Sequence, residues 1–446
     1  MKAIFQSHLM RIITMTMFAL MTCVGISHAV LTINVSQGIV NKPEVAIVPF
    51  SGDNVHNDNV PDGLTAVVKA DLQNSGMVKV FQGKLPQQPS NAAQMKWAGW
   101  SSEYILLGRV EPTGSTYRVS FELVDRRQQQ VVAARAFNNI QPTQFRLVAH
   151  NISNFVYEQM TGNKGYFTSK IAYINAINPY DRFKSVYQLI VADYDGYNPQ
   201  TLLQQQRNPI AMPTWSADGK RIAYVSYHNG GMAIYTIDVT TGQFKVISNR
   251  SGINNAPAFS PNGQNLALAL SPDANESTNI YVQNLSNGQL SQPLSLNGIN
   301  TAPTYSPDGK TIAFVSDRSG QPLIYTIASD ARYPTSALLT NAPHQALDPE
   351  YTPDGKNLVF MYQRARGAGM QIAVMDIDRK VITPITNGRS DASPTVSPDG
   401  SMVMYVKNSD RPSASLAMVS LDGSVQVDIS VHTQGVISAP TWSAGF

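Results

Sequence analysis

The sequence predicts a six-bladed β-propeller preceded by a small α/β domain, and three observations lead there. An aromatic-Ser-Pro-Asp-Gly string recurs at nearly constant spacing through the last two thirds of the chain. Residues 30–163 show no such repeat. The composition suits an all-β, turn-rich chain: 30 Gly, 27 Pro and 19 Tyr in 446 residues, with only 14% charged.

The repeat stands as Trp215-Ser-Ala-Asp-Gly219, Phe259-Ser-Pro-Asn-Gly263, Tyr305-Ser-Pro-Asp-Gly309, Tyr351-Thr-Pro-Asp-Gly355 and Val396-Ser-Pro-Asp-Gly400, with a truncated copy at Trp442-Ser-Ala444. The lead residues are 44–46 apart, and a proline stands two residues before each: Pro213, Pro257, Pro303, Pro349, Pro394 and Pro440. Pro at the second and Gly at the fourth position is type I turn chemistry. A short apolar strand follows each turn (Ile222–Val225, Leu266–Leu270, Ile312–Val315, Leu358–Met361, Met402–Val406). A loop, a third strand such as Ala233–Asp238 or Leu323–Ala328, a second turn and a fourth short strand complete about 46 residues, the content of one blade. The repeated aromatics and turns are read as packing and turning the chain, not as site residues.

Residues 170–204 carry strands at Ile171–Ile174 and Gln188–Ala192 but no leading motif strand, whereas the last ten residues supply that strand and nothing after it. The C-terminus is therefore expected to complete the first blade, so that residues 165–446 close into a ring and hide the sheet edges. In residues 30–163, strands are expected at Val45–Phe50, Val78–Phe81, Tyr104–Val110, Tyr117–Val124 and Val131–Phe137. Helices are expected from Leu64 after Asp62 toward Gly76, over Ala92–Trp100, and between Thr143 and Gly162 on the apolar positions Phe145, Val148, Ile152, Phe155 and Val156.

Residues 1–29 read as an address. Lys2 and Arg11 precede an apolar run from Ile12 to Ile26, and Ser27-His28-Ala29 offers small residues for cleavage after Ala29. A membrane anchor is the competing reading, but the run is shorter than the ~20 residues a span requires. Lipidation at Cys23 is a second alternative, poorly served by Leu20-Met21-Thr22 before it. Cys23 is the sole cysteine, so a chain beginning at Val30 has no disulfide, and export to a bacterial periplasm fits. The formal charge is +3, from 33 Lys+Arg against 30 Asp+Glu, and removing residues 1–29 lowers it further, which gives a nucleic-acid partner no support.

Catalytic motifs are sparse. The chain has no Gly-x-Ser-x-Gly elbow, His-Glu-x-x-His, Cys-x-x-Cys or phosphate loop. The histidines after residue 29 (His56, His150, His228, His344, His432) lack metal-ligand spacing; His150 reads as a surface or half-buried structural residue on a helix. Asp193-x-Asp195-Gly196 and Asp376-x-Asp378 read as turn formers rather than calcium loops. No cofactor and no metal are expected.

If the proline strands are innermost, the loops entering them and those between second and third strands share one face. The first set includes Asn249–Ala256, Asn297–Ala302, Asn341–Asp348, Asn387–Ser393 and His432–Ser438. That mouth carries Asn254, Asn255, Asn300, Asp317, Arg318, His344, Asp348, Arg364, Arg366, Arg389, Asp391, Asp410, Arg411 and His432, a polar surface of mixed sign that suits a protein partner. Separately, residues 30–41 are uncharged and alternate apolar side chains at Leu31, Ile33 and Val35. Such a segment can add to another protein's sheet edge or serve as a first strand of its own domain.

These features together resemble the TolB family. The resemblance rests on the propeller repeat, the export signal, Val45-Ala-Ile-Val-Pro-Phe50, Ala70-Asp-Leu-Gln-Asn-Ser-Gly76, Tyr157-Glu-Gln-Met-Thr-Gly162 and Asp195-Gly-Tyr-Asn-Pro199, and covers nearly all of residues 30–446. It implies a non-enzymatic, monomeric periplasmic component of the Tol–Pal system that meets membranes only through partners. The lipoprotein Pal would bind at the mouth, and TolA on the N-terminal segment through Val30, Leu31, Ile33, Val35 and Gly38. Support of outer-membrane integrity and of constriction in cell division is implied as well. Segment 30–41 departs from the family pattern in having no acidic residue. The rival reading from the residues is a propeller lyase or hydrolase using mouth carboxylates or histidines.

Overall fold

The computed structural model describes residues 42–53, 63–228, 231–271, 277–293, 295–330, 335–410, 414–431 and 433–445. Among them are one five-stranded sheet and six four-stranded antiparallel sheets. The first sheet is built from β1 (Glu44–Ile47), β2 (Lys79–Val80), β3 (Tyr104–Thr113), β4 (Thr116–Asp125) and β5 (Gln130–Ile140), in the order β2-β1-β3-β4-β5. β1 pairs in parallel with β2 and β3, and the remaining pairs are antiparallel. One face packs on α1 (Leu64–Asn74) and α2 (Phe145–Thr161) through Leu64, Val68, Leu72, Phe145, Ile152 and Val156.

α1 takes its N-terminal partner from a distant residue. The Asp53 carboxylate accepts the Leu64 and Thr65 N–H groups at 2.8 and 2.7 Å, satisfying two donors that the helix itself leaves open. Asp62, the cap suggested by spacing, lies outside the described residues. α2 ends where expected, on Gly162 at φ 76°. The helix expected over Ala92–Trp100 is not formed. A single 3₁₀ turn at Ala92–Gln94, capped by Asn91, gives way to extended chain at Met95, and Gly99 adopts φ 89°. Met95 and Trp100 instead reach back separately onto the opposite face of the sheet beside Ala46, Val48 and Ile105.

Each four-stranded sheet is a blade whose first strand contains the proline: Ile210–Trp215, Ile253–Phe259, Asn300–Tyr305, Gln345–Tyr351, Ala392–Val396 and Val436–Trp442. These strands touch one another in a closed ring. The last of them pairs with Lys170–Ile177, so the C-terminal strand completes the first blade as its missing motif implied.

The prolines explain a shared irregularity. Pro has no N–H for the ladder, and each pairing register slips at the X-Pro step, for instance between Asn255 and Ala258 and between Leu347 and Glu350. The residue before each proline is left-handed: Met212, Ala256, Ala302, Asp348, Ser393 and Ala439 all have φ between 46° and 51°. The Ser-Pro-Asp-Gly turns are also uniform. In each, Gly donates its N–H to the Ser or Thr carbonyl, and the hydroxyl donates to the Asp or Asn two residues on, at 2.5–2.7 Å. Asn262 and the relaxed Val396 position keep this pattern.

Candidate functional site

Antiparallel blades send the Ser-Pro-Asp-Gly turns to one face and the strand-entry loops to the other. The α/β domain occupies the turn face beside blades 6 and 1. Tyr157 on α2 donates to Asp399 of the blade 6 turn at 2.7 Å, and Gly76 lies against Ser420 and Met402. Among the described residues, the domain's contacts with the propeller lie on the turn face and not at the mouth.

Of the mouth residues, Arg364, Arg366, Asp348, Arg389 and Asp410 are exposed, and Asn255, Asp317, Arg318 and His344 are half-buried. The Arg318 guanidinium lies 3.6 Å from the Tyr325 ring centroid, and the Asp317 carboxylate accepts the Ile299 N–H at 2.8 Å, which ties two loops together. His344 keeps a buried Nδ1 with no hydrogen-bond partner. Asp348 has an open surface yet enough protein around it that burial raises its carboxyl above the ordinary range, the environment of a channel wall.

Three expected contact residues are corrected. Asn254, Asn300 and Asp391 are at most 1% exposed, so their side chains cannot meet a partner on this surface. They occupy equivalent positions, two residues before the left-handed step, and organise the loop above it. Asn254 accepts from Ser248 Oγ at 2.6 Å and the Arg250 N–H at 3.1 Å, while donating to the carbonyls of Arg250 and Gly252. Asn300 donates to the Thr278 carbonyl at 2.9 Å, and Asp391 accepts the Gly388 N–H at 3.1 Å. Val30, Leu31, Ile33, Val35, Gly38, Arg411 and His432 lie outside the described residues.

Two features escaped the sequence reading. The mouth loop of blade 1, residues 178–185, displays Tyr180 and Phe183 in solvent; blade 1 lacks the leading motif, so this loop had no template to point to it. The second is a buried polar cluster where α1, α2 and blade 1 meet. His150 is 2% exposed, neither surface nor half-buried as its helix position suggested. Its Nδ1 donates to Asp71 at 2.9 Å, Tyr194 Oη donates to the other Asp71 oxygen at 2.5 Å, and its Nε2 faces Asp195 at 3.9 Å without a hydrogen-bond partner. Arg146 pairs with Asp195, and Lys170 with Asp193. Burial alone would pull the imidazole down, but the charge and hydrogen bond of Asp71 and the charge of Asp195 outweigh it and raise its pKa. Asp71, His150 and Asp195 bring three potential ligand atoms within 4.8 Å of one another. Asp71 is engaged by His150 Nδ1 and Tyr194 and Asp195 by Arg146, which makes the cluster an ion-pair clasp between domain and propeller rather than an open metal site.

Along the axis, a cavity of about 330 Å³ is lined by Trp215, Pro257, Pro303, Glu350, Thr441 and Trp442. Glu350 reaches from blade 5 to blade 6, accepting from the Val396 N–H at 3.0 Å and Thr395 Oγ1 at 3.3 Å. Burial pushes its carboxyl up to about 7, although both hydrogen bonds favour the ionised form. Thr395 Oγ1 in turn accepts the Trp442 N–H at 3.1 Å, so the latch continues into the closing strand.

Known proteins are similar along the whole length. Residues 31–132 match the family described as "TolB amino-terminal domain", and residues 157–445 match "TolB beta propeller domain". A "Tol-Pal system protein TolB" of Francisella tularensis subsp. tularensis is 41% identical over 437 residues, covering 97% of this chain and 98% of its own. The protein of that name in Methylobacillus flagellatus is 34% identical over 240 residues, 52% of this chain and 53% of its own. The crystal structure of TolB from Acinetobacter baumannii superposes with a TM-score of 0.79 at 31% identity, covering 90% of this chain and 96% of that one. With both halves matched and a relative aligned almost end to end, the chain belongs to the TolB family of Tol–Pal system proteins.

Proposed function

We propose that this chain is a non-enzymatic periplasmic adaptor that docks Pal on the propeller mouth and TolA on segment 30–41, and so supports outer-membrane integrity and constriction during cell division. It reaches the periplasm by cleavage after Ala29 and works as a monomer without a cofactor. The observation that carries the reading is the division of the propeller into two faces. The α/β domain takes the turn face at blades 6 and 1. Among the described residues the opposite face carries exposed charges of both signs at Asp348, Arg364, Arg389 and Asp410 around the axis. Mixed-sign, loop-built surfaces of this kind select a protein partner by charge complementarity.

Calorimetric titration of the chain starting at Val30 with the soluble domain of its own Pal tests the proposal. One-to-one binding weakened by Asp348→Ala or Arg389→Ala is expected. Absence of binding across a range of salt removes the Pal assignment. A companion chain lacking residues 30–41 should keep Pal and lose TolA; retention of TolA would relocate that contact.

A further inference from the structure

We propose that the side of the mouth face formed by blades 1 and 2 is an aromatic, cationic docking sector for an acidic protein surface that presents apolar side chains. The inference rests on the reading that a protein docks on this face, and adds where the apolar half of that contact lies.

Tyr180 is 89% and Phe183 75% exposed, on the loop joining the blade 1 strands Lys170–Ile177 and Val186–Asp193. Among the described residues these are the two most exposed large hydrophobic side chains, and most of the propeller's other aromatics are buried or half-buried. The loop under them is tied down. The Asp181 carboxylate accepts the N–H groups of Phe183 and Lys184 at 2.9 and 3.2 Å, and the Asp181 carbonyl accepts that of Ser185 at 2.8 Å. From the loop entering blade 2, Arg207 donates its N–H to the Ser185 carbonyl at 3.0 Å and its Nε to the Phe183 carbonyl at 3.3 Å. Two aromatic side chains are thus held out on a pre-ordered loop, which lowers the ordering entropy lost on binding.

Charge selects the partner. Arg182, Lys184 and Arg207 are exposed around the rings, while the one carboxylate among them, Asp181, is turned to its own loop. Lys184 Nζ lies 3.9 Å from Asp181, and Arg182 and Arg207 have no carboxylate within ion-pair reach among the described residues. Tyr227, 38% exposed at the start of the blade 2 mouth loop, extends the aromatic surface. Aromatic and arginine side chains together are the composition of binding hot spots. An anionic lipid surface is disfavoured, because it would also bring its phosphates against Asp348 and Asp410 on the same face.

The test compares Tyr180→Ala, Phe183→Ala and the double charge reversal Arg182→Glu/Lys184→Glu with the unaltered chain and with Arg389→Ala. Each is titrated with the soluble Pal domain at several salt concentrations and with vesicles of phosphatidylglycerol. Because these side chains are exposed, thermal unfolding should not move. Each aromatic truncation is expected to weaken Pal binding about tenfold or more, and the charge reversal to flatten its salt dependence. Aromatic variants that bind like the unaltered chain, while Arg389→Ala weakens binding, overturn the sector and leave the proposed function standing. Failure of the unaltered chain to bind Pal overturns both. Vesicle binding that depends on Tyr180 and Phe183, with Pal binding unchanged, overturns the protein partner in favour of a lipid surface.

Discussion

Replacing Glu350 with Gln should stabilise the ring at neutral and alkaline pH. The side chain bridges blades 5 and 6 through Val396 and Thr395 and lines the axial cavity. Its carboxyl titrates near 7 in the fold, against an ordinary value of 4.5. A folded-state value raised in this way favours the protonated form. The contribution to stability is therefore full below about pH 4.5 and is lost as pH rises from there toward 7, after which it stays constant. At 1.36 kcal/mol per pH unit the loss is at most about 3 kcal/mol, since the cavity keeps part of the carboxyl near solvent. Gln retains the carbonyl acceptor for both hydrogen bonds and cannot ionise. Thermal unfolding of both chains from pH 4.5 to 8.5 should show Glu350→Gln melting a few degrees higher at pH 8, roughly 5 °C at the upper limit, and equal to the original chain near pH 4.5. A variant that melts lower at pH 8, or whose pH profile parallels the original, would refute burial as the cause of the shift.

The buried clasp gives the second expectation. His150→Gln removes a cation between Asp71 and Asp195 and should destabilise the chain by about 3 kcal/mol near pH 6. Because the imidazole is raised above 6.5, its contribution is full below that value and lost as pH rises through the folded pKa, so the deficit should shrink in alkaline melts. Removing Ile437–Phe446 deletes the closing strand, and a single sharp unfolding transition at the original temperature would contradict the closure argument. Asn254→Ala leaves the Arg250 N–H and two carbonyls without partners, a cost of about 1–3 kcal/mol, and hydrogen exchange should rise locally over residues 249–255.

The ring was legible because its information is periodic. Each turn, proline and following strand recurs at one spacing, so an ambiguous copy such as Val396 borrows meaning from the others, and the orphan strand at each end identifies its mate. The contacts at the mouth are not periodic, and there the reading was coarser. Asn254, Asn300 and Asp391 lie in the polar sequence at or just before the start of the proline strands, and nothing local distinguishes a side chain that faces solvent from one that turns inward to satisfy loop backbone groups. His150 was misplaced because its partners, Asp71 and Asp195, lie far away in sequence and come together only when two domains pack. The expected helix at Ala92–Trp100 failed for a related reason. Met95 and Trp100 gain more by packing separately on the back of the sheet than a short helix gains from its own hydrogen bonds.

The position of the α/β domain follows from where the ring is joined. A propeller completed by its last strand has one strand pair that no turn of the chain connects, here the closing strand Val436–Trp442 against Lys170–Ile177 within blade 1. The seam is tied by side chains as well as by the ladder. Trp442 donates its indole N–H to Ser169 Oγ at 2.7 Å, Trp215 donates to the Thr441 carbonyl at 3.2 Å, and Ser443 Oγ accepts the Lys170 N–H at 2.9 Å. The domain packs onto the same place. Tyr157 from α2 and Tyr166, Phe167 and Tyr194 form an aromatic group that ends on Trp442, with ring centroids 5.5 Å apart for Tyr166–Trp442 and 6.4 Å for Tyr194–Trp442. Loss of the closing strand would expose that group, and loss of the domain would strip one side of the closing strand's core. Domain docking and ring closure are therefore stabilised by the same buried surface. A perturbation at the mouth that shifts the closing strand has a packed route to the α/β domain through Trp442 and this aromatic group.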